Sequence, residues 1–292
     1  MQRKYHKNCI EKNPFFSVYH AAGKYFSSEQ NSLLHYDVNL SVSYMLHCSG
    51  NIRIEGKRYR IQSGDVIITN PDEIHCCSID DGTYHERISI CINKSILNNF
   101  CFDCEDFFDF LEKREKGIGN IISSEIASGF KLGNLISQIY LLSKNKSNKS
   151  KILAVCKIVE FLDQLGNAVS QYTLNLPFYP EENSTISKTI EYINKHFTED
   201  ITCTKIAETL FLSKSHLEHL FTENVGIPLW DYVVIKRLML VNKLIQEKHS
   251  AKEASYAAGF HNYSNFYRLY KKHFNITPTE YKRLTNNQNA HL

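Results

Sequence analysis

The chain has 292 residues, of which 42% are hydrophobic and 22% are charged, a composition typical of a soluble globular protein with room for two domains. The net charge of only +3 excludes a polycation. From residue 183 onward, however, 14 Lys and Arg stand against 10 Asp and Glu, so the last third carries a basic excess. A mild excess of this kind fits contacts with phosphate groups.

Export signals, membrane spans and structural disulfides are not expected. The basic residues Arg3, Lys4 and Lys7 are not followed by an apolar core, and no run of 18 apolar residues occurs. The nine cysteines are odd in number and irregular in spacing, which indicates free thiols in a reducing cytoplasm. The C-x-x-C of Cys101 and Cys104 stands alone, because no second pair is spaced to complete a zinc site.

Short β-strands are predicted in the first third of the chain. One strand is expected near residues 15–19, and further β-rich runs cover residues 41–47, 51–55, 57–61, 66–69, 74–79 and 87–92. Turn residues separate these runs, as at Glu55-Gly56, where glycine adopts positive φ at little cost. Many short strands at regular spacing predict a β-sandwich or barrel.

A β-barrel can hold a small polar ligand if a few hydrogen-bonding groups lie among its aromatic walls. Hydrogen bonding within the barrel is the alternative role for each such group. The candidate effector-binding residues are His35, Asp37, Tyr44, Arg53 and His75.

The middle of the chain changes to a helical pattern. Apolar residues recur at three- and four-residue steps over residues 121–142 and again over residues 152–165. Gly129 and Gly133 predict a break in the first of these stretches. Residues 179–184 contain Pro and small polar side chains, which predicts an interdomain linker.

Two helix-turn-helix units are predicted in the last third, at about residues 202–222 and 250–272. The closing helix of each unit carries three apolar residues at i, i+3 and i+4, Leu217, Leu220 and Phe221 in the first and Phe266, Leu269 and Tyr270 in the second. This spacing puts the three side chains on one face, which a short helix must bury. Thr202 and Ser213 are predicted N-caps, and Ser250 with Glu253 forms a capping box. Pro228 begins the connecting helix.

A short helix with a buried back and hydrogen-bonding side chains in front fits the DNA major groove. A single unit of this kind could equally be part of a plain helical bundle, whereas two units with the same end pattern favour DNA binding. The candidate DNA-binding residues are Lys214, Ser215, Glu218, His219, Tyr263, Ser264, Asn265, Tyr267, Arg268, Lys271 and Lys272.

The last hundred residues resemble the DNA-binding domain of the AraC/XylS family of transcriptional regulators. The most specific matches are Ala258-Gly259-Phe260, Tyr263-Ser264-Asn265-Phe266 and Thr277-Pro278, followed by Tyr281-Lys282-Arg283. The first unit matches at Ile206-Ala207, Leu212-Ser213, Leu217, Leu220-Phe221, Gly226 and Pro228. Ser255 and Tyr270 depart mildly from the family's usual Ala and Phe.

The β-rich segment resembles the cupin-type effector domain that precedes this DNA-binding domain in many relatives. The matching residues are His35, Gly50, Tyr59, Gly64-Asp65, Pro71 and His75. Catalytic cupins hold a metal with a His-x-His pair and a nearby Glu, but Asp37 replaces the second His and no Glu follows in 39–42. A His35, Asp37 and His75 set could in principle bind iron, yet no metal and no other cofactor is expected.

The resemblance implies an α+β multidomain protein. Residues 1–112 would form a cupin-like β-barrel, residues 113–182 a helical dimerisation region and linker, and residues 183–292 the all-α double helix-turn-helix domain. Arg268 would contact guanine and Asn265 adenine. Lys214, Lys236, Arg237, Lys271 and Lys272 would contact phosphates and so set affinity and salt dependence.

The sequence therefore predicts a cytoplasmic, homodimeric regulator of transcription and not an enzyme. Its effector would be a small molecule, such as a sugar, and it would activate by contacting RNA polymerase. One alternative is a cupin-type enzyme whose helical tail binds a protein partner. Another is a DNA-binding regulator that needs no ligand and uses the barrel only to dimerise.

Overall fold

The computed structural model describes residues 6–13, 15–24, 39–71, 73–93, 96, 108–112, 114–174 and 184–289. The chain divides into two compact units, Met1–Glu182 and Asn183–Leu292. Within the described ranges, no helix is long and apolar enough to cross a membrane. Ser184 begins a helix, whereas the rest of the predicted linker and the Cys101/Cys104 pair lie outside the described residues.

The first unit contains the predicted β-structure. Its strands are β1 (His6–Lys12), β2 (Phe16–Lys24), β3 (Leu40–His47), β4 (Ser49–Ile54), β5 (Lys57–Gln62), β6 (Val66–Thr69), β7 (His75–Ile79), β8 (Tyr84–Ile92) and β9 (Ile121–Ile122). Among the described strands, hydrogen bonds form a six-stranded sheet, ordered β1-β2-β8-β3-β6-β9, and a three-stranded sheet, ordered β5-β4-β7. All the pairings are antiparallel.

The two sheets face each other and do not join, in the described part of the chain, into one closed ring. Met45 and Ile67 of the large sheet share a buried cluster with Ile52 and Ile54 of the small sheet. The other face of the large sheet buries Val42 and Ile90 against helices. Because successive side chains of a strand alternate between faces, a strand buried on both sides can present two kinds of surface.

The helices of the first unit cover the outer face of the large sheet. They are α1 (Asp109–Glu112), α2 (Ser124–Gly129), α3 (Leu132–Lys144) and α4 (Asn148–Leu174). The predicted break falls between α2 and α3, where Lys131 adopts φ of 56°. Buried Ile136, Ile139 and Ile158 pack into the same cluster as the sheet. Residues 114–174 therefore belong to the same compact unit as the strands, to which they also contribute β9.

One buried carboxylate fixes the loop before β9. Glu73 is fully buried and forms a salt bridge with Arg114, Nη2 to Oε2 at 2.7 Å. The same carboxylate accepts hydrogen bonds from the backbone N–H of Asn70 and of Gly117 and from the side-chain amide of Asn120. Since each carboxylate oxygen has partners, the cost of burying the charge is offset.

The second unit consists of helices in the described part. They are α5 (Ser184–His196), α6 (Cys203–Thr209), α7 (Lys214–Val225), α8 (Leu229–Gln246), α9 (Ala251–Ala257), α10 (Tyr263–Phe274) and α11 (Pro278–Asn289). The predicted caps are confirmed, because Thr202, Ser213 and Ser250 each accept a backbone N–H of the following turn. Asn262 caps α10 in the same way.

Lys236 and Arg237 were predicted to contact phosphates, and both positions are wrong for that role. Both residues are only 5% exposed, since they lie on the buried helix α8. Arg237 donates from Nε to the carbonyl of Phe197 at 2.6 Å and from Nη2 to that of Glu199 at 2.8 Å. Its guanidinium carbon also lies 5.5 Å from the centroid of the Trp230 ring and 5.8 Å from that of the Phe260 ring.

The same junction requires a glycine. Gly259 adopts φ of +88°, and a Cβ at this position would lie 2.5 Å from the carbonyl oxygen of Thr198. The loop at 197–199 is thus hydrogen-bonded to α8 through Arg237. The absence of a side chain at Gly259 lets the same loop lie against the turn between α9 and α10. The matching turn of the first helix-turn-helix unit, between α6 and α7, has Phe211 at φ of 57°, with its side chain 96% exposed.

We expect Glu73→Ala to destabilise the first unit by about 3–5 kcal/mol, because it leaves the buried Arg114 charge without its partner. Urea unfolding of the full chain, monitored by far-ultraviolet circular dichroism, measures the loss of unfolding free energy. The matched control is Glu160→Ala, whose carboxylate is 51% exposed and pairs with Lys157, itself 34% exposed, so its cost should stay below about 1 kcal/mol. Equal effects of the two variants would contradict the assigned role of Glu73.

We expect Arg237→Gln to lower the stability of the second unit by about 2–3 kcal/mol, because two backbone carbonyls lose a charged donor whose side chain is buried. Arg237→Lys should also be less stable than the wild type, since a lysine lacks the forked donors of an arginine. Thermal unfolding measures both variants, with exposed Lys252→Gln as the control. If Arg237→Gln left the melting temperature unchanged but reduced the salt dependence of DNA binding, the phosphate contact would be restored and the structural role rejected.

Candidate nucleic-acid interface and interior cavity

Helix α7 has the two-sided character that the sequence predicted. Leu217, Phe221 and Val225 are buried, and the ring of Phe221 packs edge-on against Tyr232 of α8, with centroids 5.4 Å apart. The opposite side presents exposed Lys214, Ser215 and His219 together with the half-buried Glu218. The predicted contact residues of the first helix-turn-helix unit therefore share the solvent side of one helix, α7.

Helix α10 repeats this arrangement. Phe266 and Tyr270 are buried against α8 and α9, and the Tyr270 hydroxyl donates to Asn242 Oδ1 at 2.5 Å. Burial raises the pKa of the Tyr270 hydroxyl well above its usual range, so this donor stays protonated. The exposed side carries the predicted residues Ser264, Asn265, Arg268, Lys271 and Lys272.

Two tyrosines among the predicted contacts are only partly available to a ligand. Tyr263 and Tyr267 are half-buried, and the Tyr263 ring lies 5.5 Å from that of Phe266. Beside them, Arg268 Nη2 donates to Asn265 Oδ1 at 3.5 Å. Asn265 and Arg268 are thus neighbours on one face, as a pair of side chains that reads adjacent bases would have to be.

The charges of the two helices differ. The last turn of α10 carries Lys271 and Lys272. In α7, Lys214 lies 3.9 Å from Glu218, and His219 lies 3.5 Å from Glu223, so each basic group faces a carboxylate. Positive potential is therefore concentrated on α10, and α7 would have to break the ion pair of Lys214 with Glu218 to use that lysine on a phosphate.

The N-terminal compact unit, Met1–Glu182, contains a cavity between its two sheets, with a volume of about 40 Å³. That volume holds roughly three water-sized groups. Its described lining is polar at most positions and combines residues of both sheets. The lining residues are Lys7, Tyr19, Ser41, Ser43, Met45, Ile52, Ile67, Thr69, His75, Cys77, Arg87, Ser89 and Cys91.

Only one predicted effector residue, His75, lines this cavity among those the structure describes. Tyr44 lies on the opposite face of β3, where its ring meets Gly133 of α3. Arg53 alternates with the inward-facing Ile52 and Ile54, so it lies on the outer face of β4. Tyr44 and Arg53 therefore face away from this cavity, and in each case the neighbouring residue, Met45 or Ile52, faces it. His35 and Asp37 lie outside the described residues.

Most of the cavity lining was missed, although the sequence held a signal for it. In β3, Ser41 and Ser43 alternate with the buried Leu40 and Val42, and both serines face inward. Ser43 and Ser89 share a hydrogen bond of 2.8 Å between their hydroxyl oxygens. Polar residues at every second position of otherwise apolar, doubly buried strands mark a polar interior.

A metal site is not assembled by the described part of the chain, where no group of three His, Cys, Asp or Glu side chains could hold an ion. His75 Nδ1 instead lies 3.1 Å from the carbonyl oxygen of Glu73, to which it donates. The iron set considered from sequence includes His35 and Asp37, which are outside the described residues, so its geometry is not defined here.

Comparisons with known proteins agree with both parts of this description. Residues 34–99 match the AraC-like ligand binding domain, and residues 206–284 match a helix-turn-helix domain. The probable transcription factor PqrA of Proteus vulgaris is 36% identical over 85 residues, which cover 29% of this chain and 70% of that protein. The uncharacterized HTH-type transcriptional regulator YbfI of Bacillus subtilis is 24% identical over 72% of each chain.

A third relative is the lactose operon transcription activator of Staphylococcus xylosus. It is 23% identical over 163 residues, which cover 50% of this chain and 58% of that protein. These relatives are regulators of transcription and not enzymes. With two helix-turn-helix units behind an effector-binding β-domain, the chain belongs to the AraC/XylS family of DNA-binding transcriptional regulators.

Proposed function

We propose that the protein is a cytoplasmic transcriptional activator that reads DNA with α7 and α10 under the control of a small effector. The observation that carries the proposal is the pair of recognition helices that pack on one buried helix, α8, and present hydrogen-bonding side chains outward. Helix α8 packs against α7 of the first helix-turn-helix unit and against α9 and the buried side of α10 in the second. It therefore sets a fixed separation between α7 and α10. Two helices at fixed separation suit two successive segments of the major groove.

The exposed residues of α10 have separate roles in this proposal. Arg268 contacts guanine through its forked donors, and Asn265 contacts adenine with its amide. Lys271 and Lys272 contact phosphates, which positions the helix without reading sequence. In α7, Ser215, Glu218 and His219 are the base-edge candidates, and Glu218 is suited only to a cytosine amine because its charge repels phosphate.

The effector is proposed to bind the first unit and to be a small metabolite, such as a sugar or a compound derived from one. A domain match to an AraC-like ligand binding domain supports the ligand, and a relative named as a lactose operon activator supports both the class and activation. Activation is proposed to proceed through contact with RNA polymerase. The effector would change how the recognition helices are presented to the promoter.

The second copy in a homodimer is proposed to cover the outer surface of the α3–α4 hairpin. Leu141 is 62% exposed, Ile152 is 65% exposed and Leu153 is 43% exposed. These residues lie at the end of α3 and the start of α4, close to one another in an antiparallel hairpin. A patch of large apolar side chains that is open to solvent is typical of a protein interface, and a two-fold dimer would match paired DNA half-sites.

Fluorescence anisotropy of labelled DNA from upstream of the gene and its neighbours tests the regulator directly. The full chain is titrated at two salt concentrations, with random DNA of the same length as the control. Salt-sensitive binding that is tighter on one fragment supports the proposal. Equal affinity for every fragment and for random DNA would overturn it.

For Arg268→Ala, we expect a loss of about 1–3 kcal/mol on the specific site and a relaxed preference at one base pair. For Lys271→Ala, we expect uniform weakening on all sequences and a salt slope smaller by about one. Anisotropy on the specific site, on its single-base variants and on random DNA separates the two effects. Lys195→Ala is the control, since this exposed lysine pairs with Glu191 on α5. An equal loss on specific and random DNA would remove Arg268 from base contact.

For the double variant Leu141→Glu and Ile152→Glu, we expect a shift from dimer to monomer, because two carboxylates would be buried at the interface without partners. Sedimentation velocity measures the shift. Lys149→Glu on the same hairpin is the control, since it changes charge at an exposed polar position. A wild-type chain that sediments as a monomer, or a double variant that remains a dimer, would contradict this interface.

A further inference from the structure

Phe211, in the turn between α6 and α7, is the most exposed large apolar side chain in the described part of the chain, at 96%. Its backbone has φ of 57°, in the left-handed region. Neither property favours folding, because the ring buries almost no surface and a bulky side chain is strained in that conformation. We propose that Phe211 packs on the C5-methyl group of a thymine in the major-groove segment that α7 enters. The inference rests on the proposed function and adds a specificity-determining residue to it.

The end of α6 requires a left-handed residue, but it does not require a phenylalanine. The N–H of Phe211 donates to the carbonyl of Glu208 at 3.0 Å, and that of Leu212 donates to the carbonyl of Ala207 at 2.9 Å. This pair of hydrogen bonds is the Schellman motif, whose left-handed position is usually a glycine. The backbone of the turn is therefore explained by the helix end, whereas the aromatic side chain needs another reason.

The second helix-turn-helix unit contains the same turn without the ring. There the N–H groups of Gly259 and Phe260 donate back to α9 at 3.0 Å each, in the same pattern. A side chain at Gly259 would meet the carbonyl oxygen of Thr198. In the first unit the equivalent side chain extends into solvent instead. The two turns thus share a backbone conformation and differ in the surface that they present.

The place of Phe211 in the chain puts its ring beside the groove-facing end of α7. It lies just before Ser213, the N-cap of that helix, and the exposed residues Lys214 and Ser215 follow. A recognition helix meets base edges with its N-terminal residues. The ring is therefore continuous with the surface that is proposed to enter the major groove.

The chemistry of a phenyl ring selects one feature of that groove. The ring has no hydrogen-bonding group, so it cannot read the donors and acceptors of the base edges. The C5-methyl of thymine is the apolar group that the major groove displays. Contact withdraws both apolar surfaces from water, which favours thymine at one position over the other bases.

The test removes that methyl group from the DNA. The shortest duplex that the full chain binds in preference to random DNA is prepared with each thymine replaced, one at a time, by uracil. Uracil lacks the C5-methyl and keeps the same base pairing. Fluorescence anisotropy should show one replacement that weakens wild-type binding by about three- to tenfold, the range expected for one methyl group withdrawn from water.

Variants assign this methyl sensitivity to Phe211. Phe211→Gly and Phe211→Asn suit the left-handed backbone and should bind the thymine and uracil duplexes equally. Phe211→Tyr keeps the ring and should keep the difference. Tyr256→Ala is the matched control, since it removes a 48% exposed ring from α9 and should leave the difference unchanged.

Thermal unfolding separates this role from a role in the fold. Phe211→Gly should unfold at the wild-type temperature or a few degrees above it, because a strained residue is replaced by one that adopts positive φ freely. A clearly lower unfolding temperature would show that the ring stabilises the fold and would overturn the inference.

Four binding results would also overturn it. They are uracil sensitivity at no position, sensitivity that survives Phe211→Gly, equal weakening of that variant on specific and random DNA, and full DNA binding with lost activation of purified RNA polymerase. The third would place the ring on the sugar-phosphate backbone, and the fourth on the polymerase. Specific binding without methyl sensitivity rejects the inference and retains the regulator. Wild-type binding with no preference over random DNA rejects the proposed function itself.

Discussion

The DNA-binding unit depends on one helix, α8, that is buried on every side over its middle turns, from Tyr232 to Leu238. Helix α8 has buried residues on every side, from Leu229 near its start to Ile245 near its end. Its first half packs against α7, as the contact of Tyr232 with Phe221 shows, and its second half packs against α9 and α11. A helix that is buried on every side over its middle turns cannot rotate or slide without exposing apolar surface. The recognition helices inherit their spacing from this requirement.

Arg237 extends the same constraint to a loop. Burying a guanidinium is unfavourable unless its donors are used, and here two of them are used on the carbonyls of Phe197 and Glu199. Burial lowers the pKa of Arg237 from its ordinary value, yet that value is high enough to leave the side chain charged. The nearby rings of Trp230 and Phe260 favour the cation. The charge thus contributes to the fold and not to the DNA surface.

Local patterns predicted the helices of this unit, because caps and i, i+3, i+4 spacings depend on neighbours in sequence. Burial of Lys236 and Arg237 depends on distant elements, and a pair of basic residues in an amphipathic helix looks alike in either role. The same limit applies to the first unit. Strands and turns were predicted, but assigning Tyr44 and Arg53 to the interior needed the face of each strand, which a shift of one residue reverses. The alternation of Ser41 and Ser43 with apolar residues in β3 shows that the sequence did indicate which face of this strand lines the cavity.

The two recognition helices are unequal partners in the interface. Helix α10 ends with Lys271 and Lys272 and has no acidic residue in its sequence, whereas α7 contains Glu218 and Glu223. Each phosphate contact releases counterions and adds affinity on any sequence, so on the proposed contacts α10 would supply most of the nonspecific attraction. A carboxylate on α7 lowers that attraction everywhere except opposite a cytosine amine, where it gains a hydrogen bond. On the proposed contacts, α7 would discriminate by rejecting wrong sequences, and α10 would keep the protein on the DNA while that selection is made.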